Sequence, residues 1–527
     1  MDHTKLGREV VSSLLAMFDT PVSRTILDNL KAGKLVIPDV NPLAYDDATT
    51  YLVDAQAVAL VKKNPWILPD EDGKLQEEAD NNAYRKFLEA EQACHDFNIA
   101  FAGKLRNNFE FRTILESARH YVSRILGDFS WADPDFGPGA SFLLGGKSAN
   151  LVSKLRTKPE CTPIAHDLVK YLVLDKMPHY AISCGMVVRE RTNVFLAPTS
   201  LPVVNGNRLS FVPKDMRCSR AICIEPLGNL LAQKAIGGLI KSRLTKWGLP
   251  IGKHGDSTLQ DRHRDLAKQA SIDGINATID LSSASDTISY ELVKFLLPDD
   301  WFDAIRRTRS PSTRLPDGTW IRNEKISSMG NGFTFELETL LFYCLGLAVR
   351  YHYGKPSDTV SSYGDDIIVP SAWADKMIDI LEQCGFTTNK DKTFTTGFFR
   401  ESCGGDFLHG CNVRPIFLKE CSRENTITFL FSLANRIREM SRLFGDNIYC
   451  DIRFRQSWRR VYFSIPLHWR LPGPTELGDD VCHMPRWEDT GWNTRTVNFV
   501  RSVQRLVKVS RGREIPREPD HVLAAAL

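Results

Sequence analysis

Thr359-Val360-Ser361-Ser362-Tyr363-Gly364-Asp365-Asp366-Ile367-Ile368-Val369 sets two adjacent carboxylates beside a glycine, between a polar-apolar run and an apolar one. The flanks are strand-like, and Gly364-Asp365 suits the two central positions of a tight hairpin loop, because glycine accepts the positive φ such turns demand. That geometry presents Asp365 at the tip. Turn chemistry alone leaves two readings open: a surface hairpin made of common turn residues, or a turn that offers acids to a ligand.

A second acidic segment upstream bears on the choice. Ala277-Thr278-Ile279-Asp280-Leu281-Ser282-Ser283-Ala284-Ser285-Asp286 places Asp280 at the end of a short apolar strand. In-line displacement at phosphorus is helped by two divalent ions about 4 Å apart, and Mg²⁺ takes oxygen ligands while keeping several waters. Two or three carboxylates from different strands suffice for that. Asp280 and Asp365 are therefore read as bridging such a pair of ions, with Asp366 a weaker or outer ligand. Taken alone, Asp280 also fits an ordinary strand-end acid.

Between the two acidic segments lies Ser327-Ser328-Met329-Gly330-Asn331-Gly332-Phe333-Thr334, a small-residue loop leading into an apolar helix over Thr334 to Arg350. Such a loop lets a backbone approach a ligand closely, and equally serves as a helix entry capped by Ser or Asn. Further upstream, Lys214, Arg217 and Arg220 recur at three-residue spacing. Cations grouped this way can neutralise a triphosphate, although a solvated charged face has the same appearance.

The whole chain has 527 residues, 43% hydrophobic and 25% charged, which is the composition of a globular protein rather than a disordered or fibrous one. Its longest apolar run, Leu340 to Val349, is too short to span a bilayer, and Asp2, Lys5, Arg8 and Glu9 occupy the stretch where a signal peptide would be apolar. No membrane association and a cytoplasmic location are expected. Twelve scattered cysteines without a C-x-x-C pair suggest free thiols in a reducing compartment. Cys403, His409 and Cys411 match no usual zinc spacing. Net charge is +3, but it is unevenly placed: residues 421–527 carry 17 Lys or Arg against 12 Asp or Glu, leaving 67 − 17 = 50 against 64 − 12 = 52 before them. All but one of the C-terminal cations are arginine, whose planar fork grips phosphate.

No repeat is visible, so solenoids and propellers drop out. Helical patterns such as Tyr84 to Ala102 dominate the first two hundred residues. A central section mixes short strands (Ala221 to Ile224, Ala277 to Leu281, Ile367 to Val369) with apolar helices, and the C-terminal section is helical in pattern. The expected class is α+β. Arg400 to Glu420 reads as a connector.

In order and spacing these segments resemble the motifs of template-dependent RNA polymerases, and in detail those of the leviviral (Qbeta-type) RNA phage replicases. Lys214 to Pro226 resembles the basic finger motif, Asp280 to Asp286 the first palm motif, Ser327 to Thr334 the second and Tyr363 to Asp366 the third. Gly385 to Phe394 and Arg400 to Gly404 are similar to the later motifs. The resemblance implies a right-hand fold of palm, fingers and thumb. Residues 1–205 would form the N-terminal and fingers region, 206–400 the catalytic core with the palm at about 255–395, and 401–527 the connector and helical thumb.

Carried over by position, the resemblance makes Asp280, Asp365 and Asp366 the ligands of two Mg²⁺ ions, for which Mn²⁺ could substitute. Lys214, Arg220, Asp286 and Gly330 become nucleotide contacts, and Lys392 or Lys390 the acid that protonates departing pyrophosphate. Single-stranded RNA template, RNA product and nucleoside triphosphates are implied, together with host elongation factors Tu and Ts, a host ribosomal RNA-binding protein and the cytoplasm of an infected bacterium. One position departs from the wider pattern. Where many related polymerases carry an asparagine that helps read the ribose 2′-hydroxyl, this chain has Glu338. Asp286 remains as a 2′-hydroxyl acceptor or as the cap of a helix beginning near Thr287. No bulky aromatic beside it excludes the hydroxyl, which points to an RNA product.

Arg453 to Phe463 interleaves arginine with aromatics, a combination that holds single strands by charge and stacking, and that also fits an amphipathic helix burying Phe454, Trp458 and Val461. Arg501, Arg505 and Lys508 oppose Val500, Val503 and Val507 in a similar pattern. A non-catalytic RNA-binding protein and a metal-dependent nuclease share parts of these features.

Overall fold

The computed structural model describes residues 3–68, 73–137, 139–190, 193–196, 200–215, 218–252, 258–419, 426–445, 451–473 and 475–483. Arg217, and the pattern around Arg501, Arg505 and Lys508, lie outside the described residues. Two compact units form: one from Met1–Ala79, Pro213–Cys218 and Val413–Leu527, the other from Asp80–Val212 and Ser219–Asn412.

Helices His3–Phe18, Pro21–Lys31, Ala48–Lys62, Thr426–Leu443 and Ile452–Ser464 build the first unit. Their shared core joins Val10, Leu14 and Trp66 to Phe429, Phe431, Phe454 and Val461, so helices from residues 3–62 and 426–464 bury one another's apolar faces. Pro21 opens its helix with the fixed φ a first turn needs, and Thr20 and Ser23 cap it reciprocally. In Ile452–Ser464 the residues Phe454, Trp458 and Val461 point inward. Arg453 folds back on Asp451 and Arg460 pairs with Glu9. The arginine-aromatic segment is therefore an amphipathic core helix with its charges on the outer face.

The second unit centres on a three-stranded antiparallel sheet of β1 (Asn276–Ile279), β2 (Ser361–Tyr363) and β3 (Asp366–Pro370), in the order β1-β3-β2. Helices α1 (Leu259–Asp273) and α2 (Thr334–Tyr353) pack against it. Ile367, Ile368 and Val369 are all buried, as a continuous apolar strand covered on both faces requires. Ala277, Ile279, Ile367 and Val369 join the core, together with Leu337, Leu340 and Leu341 of α2. The expected α+β class is what forms. Tyr84 to Ala102 lies within helix Lys74–Asn107.

One sequence expectation is corrected. Arg400 is not in a connector: Phe399–Ser402, Gly405–Leu408 and Cys411–Asn412 form an antiparallel meander belonging to the second unit. Its turns are built on left-handed Cys403 and Gly404, then His409 and Gly410. Arg400 is buried and donates to the carbonyls of Asn276, Thr396, Gly397 and Phe399, which ties the meander to β1. Among the described residues no helix is long and apolar enough to cross a membrane, and the ten described cysteines are all free.

Candidate metal and nucleotide site

Tyr363 pairs with Asp366, which leaves Gly364-Asp365 as a two-residue hairpin loop. Gly364 takes φ +60°, whereas Asp365 is not among the positive-φ residues, the arrangement of a turn with glycine first. The turn is held from below: the Gly364 amide donates to Thr339 Oγ1 of α2 at 2.9 Å, and the Ser362 hydroxyl donates to the Gly364 carbonyl at 3.1 Å. A Cβ at 364 would lie 2.7 Å from the Phe335 ring, which itself meets Tyr363 edge-on at 4.7 Å. Glycine is thus required here twice, by φ and by the close approach of α2.

Ile279 pairs with Ile367, so one step further along the adjacent strands Asp280 and Asp366 stand across from one another. Like charges at such positions are destabilising. The cost shows in both groups. Burial, with Asp365 adding to it, pushes Asp280 up to about 6 against the pull of Lys392 and Asn389. Burial, then Asp365 and Asp280, push Asp366 up to about 7.

Each acid is nevertheless fixed in place. Asn389 Nδ2 donates to Asp280 Oδ2 at 2.7 Å, and the Asn389 and Asp280 amides bond to the Asp280 carbonyl and Thr393 Oγ1. Asp366 accepts from the Cys403 amide at 3.3 Å and the Ser402 hydroxyl at 3.4 Å. Behind Ser402 sits His263, buried and pushed by burial down to about 3, its neutral ring spanning Ser402 and Ser361. Lys392 Nζ lies 4.0 Å from Asp280 Oδ1 and 3.3 Å from Glu401. Burial would lower its pKa, but Glu401 and Asp280 outweigh that and hold the ammonium charged.

Among the described residues no three Cys, His, Asp or Glu side chains close into a ready-made metal cage. The donor set still fits a hard divalent cation: oxygen ligands only, and more negative charge than burial allows to stand alone. A cation here would complete its shell with water or with a ligand's own oxygens, the habit of Mg²⁺.

The glycine loop has a structural role that the sequence left open. Gly330 takes φ +111°, and a Cβ there would fall 2.3 Å from the carbonyl of Cys223 in strand Ser219–Ile224. The Cys223 amide in turn donates to the Met329 carbonyl at 2.8 Å. Gln233 couples the same parts again, accepting from the Gly332 amide and donating to buried Glu225, which Asn207 and Ser310 also satisfy. The loop is thereby fastened to the strand that carries exposed Arg220. Gly330→Ala is expected to cost the second unit about 2 kcal/mol or more, through left-handed strain plus the displaced strand. A thermal melt equal to the unmodified chain's would contradict this. Lys214, also exposed, belongs to the first unit, where its amide bonds the Cys218 carbonyl.

Asp286 does not cap a helix. The next helix, Tyr290–Leu296, has Ser289 at its N-cap, while Asp286 Oδ1 pairs with Lys325 Nζ at 2.8 Å. Lys325 is wholly buried, 3.2 Å from Glu91 and over the ring of Phe87 at 4.0 Å.

The family model described as RNA replicase, beta-chain matches residues 5–514. This chain belongs to the RNA replicase beta-chain family. It is 35% identical over 347 residues to the RNA-directed RNA polymerase subunit beta of Escherichia virus Qbeta, which covers 64% of this chain and 55% of that one. It is 35% identical over 405 residues to the RNA-directed RNA polymerase beta chain of Enterobacteria phage fr, covering 76% and 69%. Against the beta chain of Escherichia phage MS2 it is 40% identical over 278 residues, covering 53% and 48%. The matched stretch thus spans between about half and two thirds of these relatives' own length.

In this replicase beta-chain, sequence reasoning located the acids but missed their supports. Lys325, Glu91 and His263 come from elements far apart in the chain, and no local spacing announces them. Asn389 and Thr393 carried a signal, since they lie in the segment Gly385 to Phe394 that resembles a later motif, as did Ser402 in Arg400 to Gly404. Cys403, His409 and Cys411 assemble no metal site among the described residues.

Proposed function

We propose that this chain is an RNA-directed RNA polymerase, the catalytic subunit of an RNA phage replicase, which copies single-stranded RNA from nucleoside triphosphates. The observation that carries the reading is the meeting of Asp280, Asp365 and Asp366 at one end of the β1-β3-β2 sheet, with Lys392 beside them. Family membership supports it. These three carboxylates would hold two Mg²⁺ ions, with Mn²⁺ as a substitute. When bound, the ions would supply charge neutralisation at the reacting phosphate.

The remaining work falls to the chain's own groups. Lys214 and Arg220 would neutralise the triphosphate, the glycine loop at Gly330 would line the nucleotide, and Asp286, held by Lys325, would accept a hydrogen bond from the ribose 2′-hydroxyl. The palm would run over about 255–395, with fingers drawn from 1–205 and the basic strand, and the thumb from 401–527. By resemblance, the chain would act in the cytoplasm of an infected bacterium with host elongation factors Tu and Ts and a ribosomal RNA-binding protein.

Lys392 is the better placed of the two candidate acids, because it is charged, held by Glu401 and within reach of Asp280. Loss of a general acid typically costs about 10²-fold or more. Lys392→Met is therefore expected to slow single-turnover incorporation by about 10²-fold and Lys390→Met by less than about twofold. Equal effects would remove the assignment. For the function itself, the whole chain incubated with single-stranded RNA, four nucleoside triphosphates and Mg²⁺ is expected to yield RNA complementary to the template. Salt-sensitive RNA binding without synthesis would favour a binding protein, and template cleavage a nuclease.

A further inference from the structure

Strands Ser219–Ile224, Asn207–Pro213, Ser312–Arg314 and Trp320–Arg322 lie side by side in that order in a four-stranded sheet, all but Pro213 within the second unit. Side chains alternate between the two faces of a strand. Leu209, Cys223 and Ile321 turn one face inward, into an apolar cluster with Phe87. On the other face Arg208 pairs in register with Arg314, and Arg314 with Trp320. Arg322 follows two residues on, and Arg220 alternates onto the same face from the edge strand. No strand residue of that face is an acid.

Arg220, Arg314 and Arg322 are exposed and pair with no acid among the described residues. The acids nearest in sequence are engaged elsewhere: Asp317 accepts from the amide and hydroxyl of Thr319, and Glu324 from Asn98. Trp320 is 37% exposed, and its indole lies within 18° of parallel to the Phe142 ring, 6.2 Å between centroids. Phe142 is itself fixed, its amide donating to the Glu225 carbonyl at 3.0 Å and its carbonyl accepting from half-buried Arg208 Nε at 3.1 Å. A merely solvated face has no use for two rings held parallel beside unpaired guanidinium groups.

We propose that this sheet face binds single-stranded RNA, a base stacking on the Trp320-Phe142 pair while Arg314 and Arg322 hold the phosphates on either side. The chemistry selects the occupant. Guanidinium forks grip phosphate, and aromatic faces take bases of any sequence once these are unpaired. An acidic protein segment would use the cations and leave the rings idle; a duplex keeps its base faces stacked inside. Open faces of four-stranded sheets that carry aromatics accommodate two or three bases. Arg220 belongs to the same face, so a strand lying here leads toward the triphosphate contact proposed above. The inference rests on that reading only in choosing RNA among polyanions, and its test needs no synthesis.

The whole chain, in EDTA so that no cation site is filled, is titrated over a range of salt with a short single-stranded RNA and with heparin, a polyanion without bases. Trp320→Ala should weaken RNA binding about tenfold, the scale of one stacked base, and leave heparin binding within about twofold. Trp320→Phe, which keeps a ring, should restore most of the loss. Arg314→Gln combined with Arg322→Gln should weaken both ligands and flatten the slope of log K against log salt for RNA by about 1.4, two phosphate contacts at about 0.7 each. All these variants should melt with the unmodified chain, since the altered side chains are exposed. RNA carrying 5-iodouridine should crosslink on irradiation to the peptide that contains Trp320. Unchanged RNA affinity and salt slope in the variants, or crosslinks confined to other segments, would overturn the proposal. Equal loss of RNA and heparin in Trp320→Ala would overturn it too, in favour of a surface for an acidic protein. RNA bound at this face by a chain that makes no RNA would uphold the proposal and count against the polymerase reading alone.

Discussion

Asp365→Ala is expected to reduce templated nucleotide incorporation by about 10³-fold or more, the rate equivalent of roughly 4 kcal/mol of lost stabilisation at the reacting phosphate. The fold should survive the change. The hairpin is shaped by Gly364, its bond to Thr339 and its seat on Phe335, none of which an alanine at 365 disturbs. Asp365 also raises the pKa of both Asp280 and Asp366, so its removal relieves repulsion. Thermal stability should therefore be unchanged or slightly higher while activity disappears, the signature of a residue retained for chemistry at some cost to folding. A variant that melts early, or one that retains near-normal incorporation, would show the assignment to be wrong.

Lys325→Met should do the opposite and strike at stability first. The ammonium is fully buried between Glu91 and Asp286, and although burial works against the charge, Asp286 and Glu91 raise its pKa above the ordinary lysine value. Removing the cation leaves two carboxylates facing one another with little water, and breaking a buried pair from one side costs about 3–5 kcal/mol. Denaturant unfolding should show a loss of that size. Neutralising the stranded acids as well, with Glu91→Gln and Asp286→Asn in the same chain, should recover part of it, because shape is kept and the uncompensated charge is gone. No change in the single variant would mean that the cluster is not the clamp its geometry indicates.

The hairpin was legible because its determinants are local. Glycine and aspartate in the loop, alternation before it and an apolar run after it define strand, turn and strand within eleven residues, and the register follows from the loop length. Asp280 was legible for the same reason, as the polar end of an apolar strand. What the sequence could not display is what holds these acids. The Asp286 segment suggested a helix cap, since a short acid before a helix usually is one, but a lysine from a distant strand connection claimed it. Arg453 to Phe463 offered two readings from one pattern, and burial of Phe454 and Val461 decided for the core. The segment after Arg400 reads as a connector because its three strands are short and its turns rest on Cys403 and His409 at positive φ, conformations that no residue-type rule assigns to cysteine. Nor could composition disclose that residues 6–67 and 418–482 share one core.

The central claim is that Asp280, Asp365 and Asp366 form a divalent-cation site for nucleotidyl transfer. It is tested most directly by Mn²⁺ binding to the whole chain, followed by electron paramagnetic resonance in the presence of a nucleoside triphosphate and RNA. The unmodified chain should bind Mn²⁺ in competition with Mg²⁺, and folded Asp280→Ala and Asp365→Ala variants should each weaken that binding by about tenfold or more, as loss of a charged oxygen ligand requires. Undiminished Mn²⁺ binding in both variants would place the metals elsewhere and contradict the account.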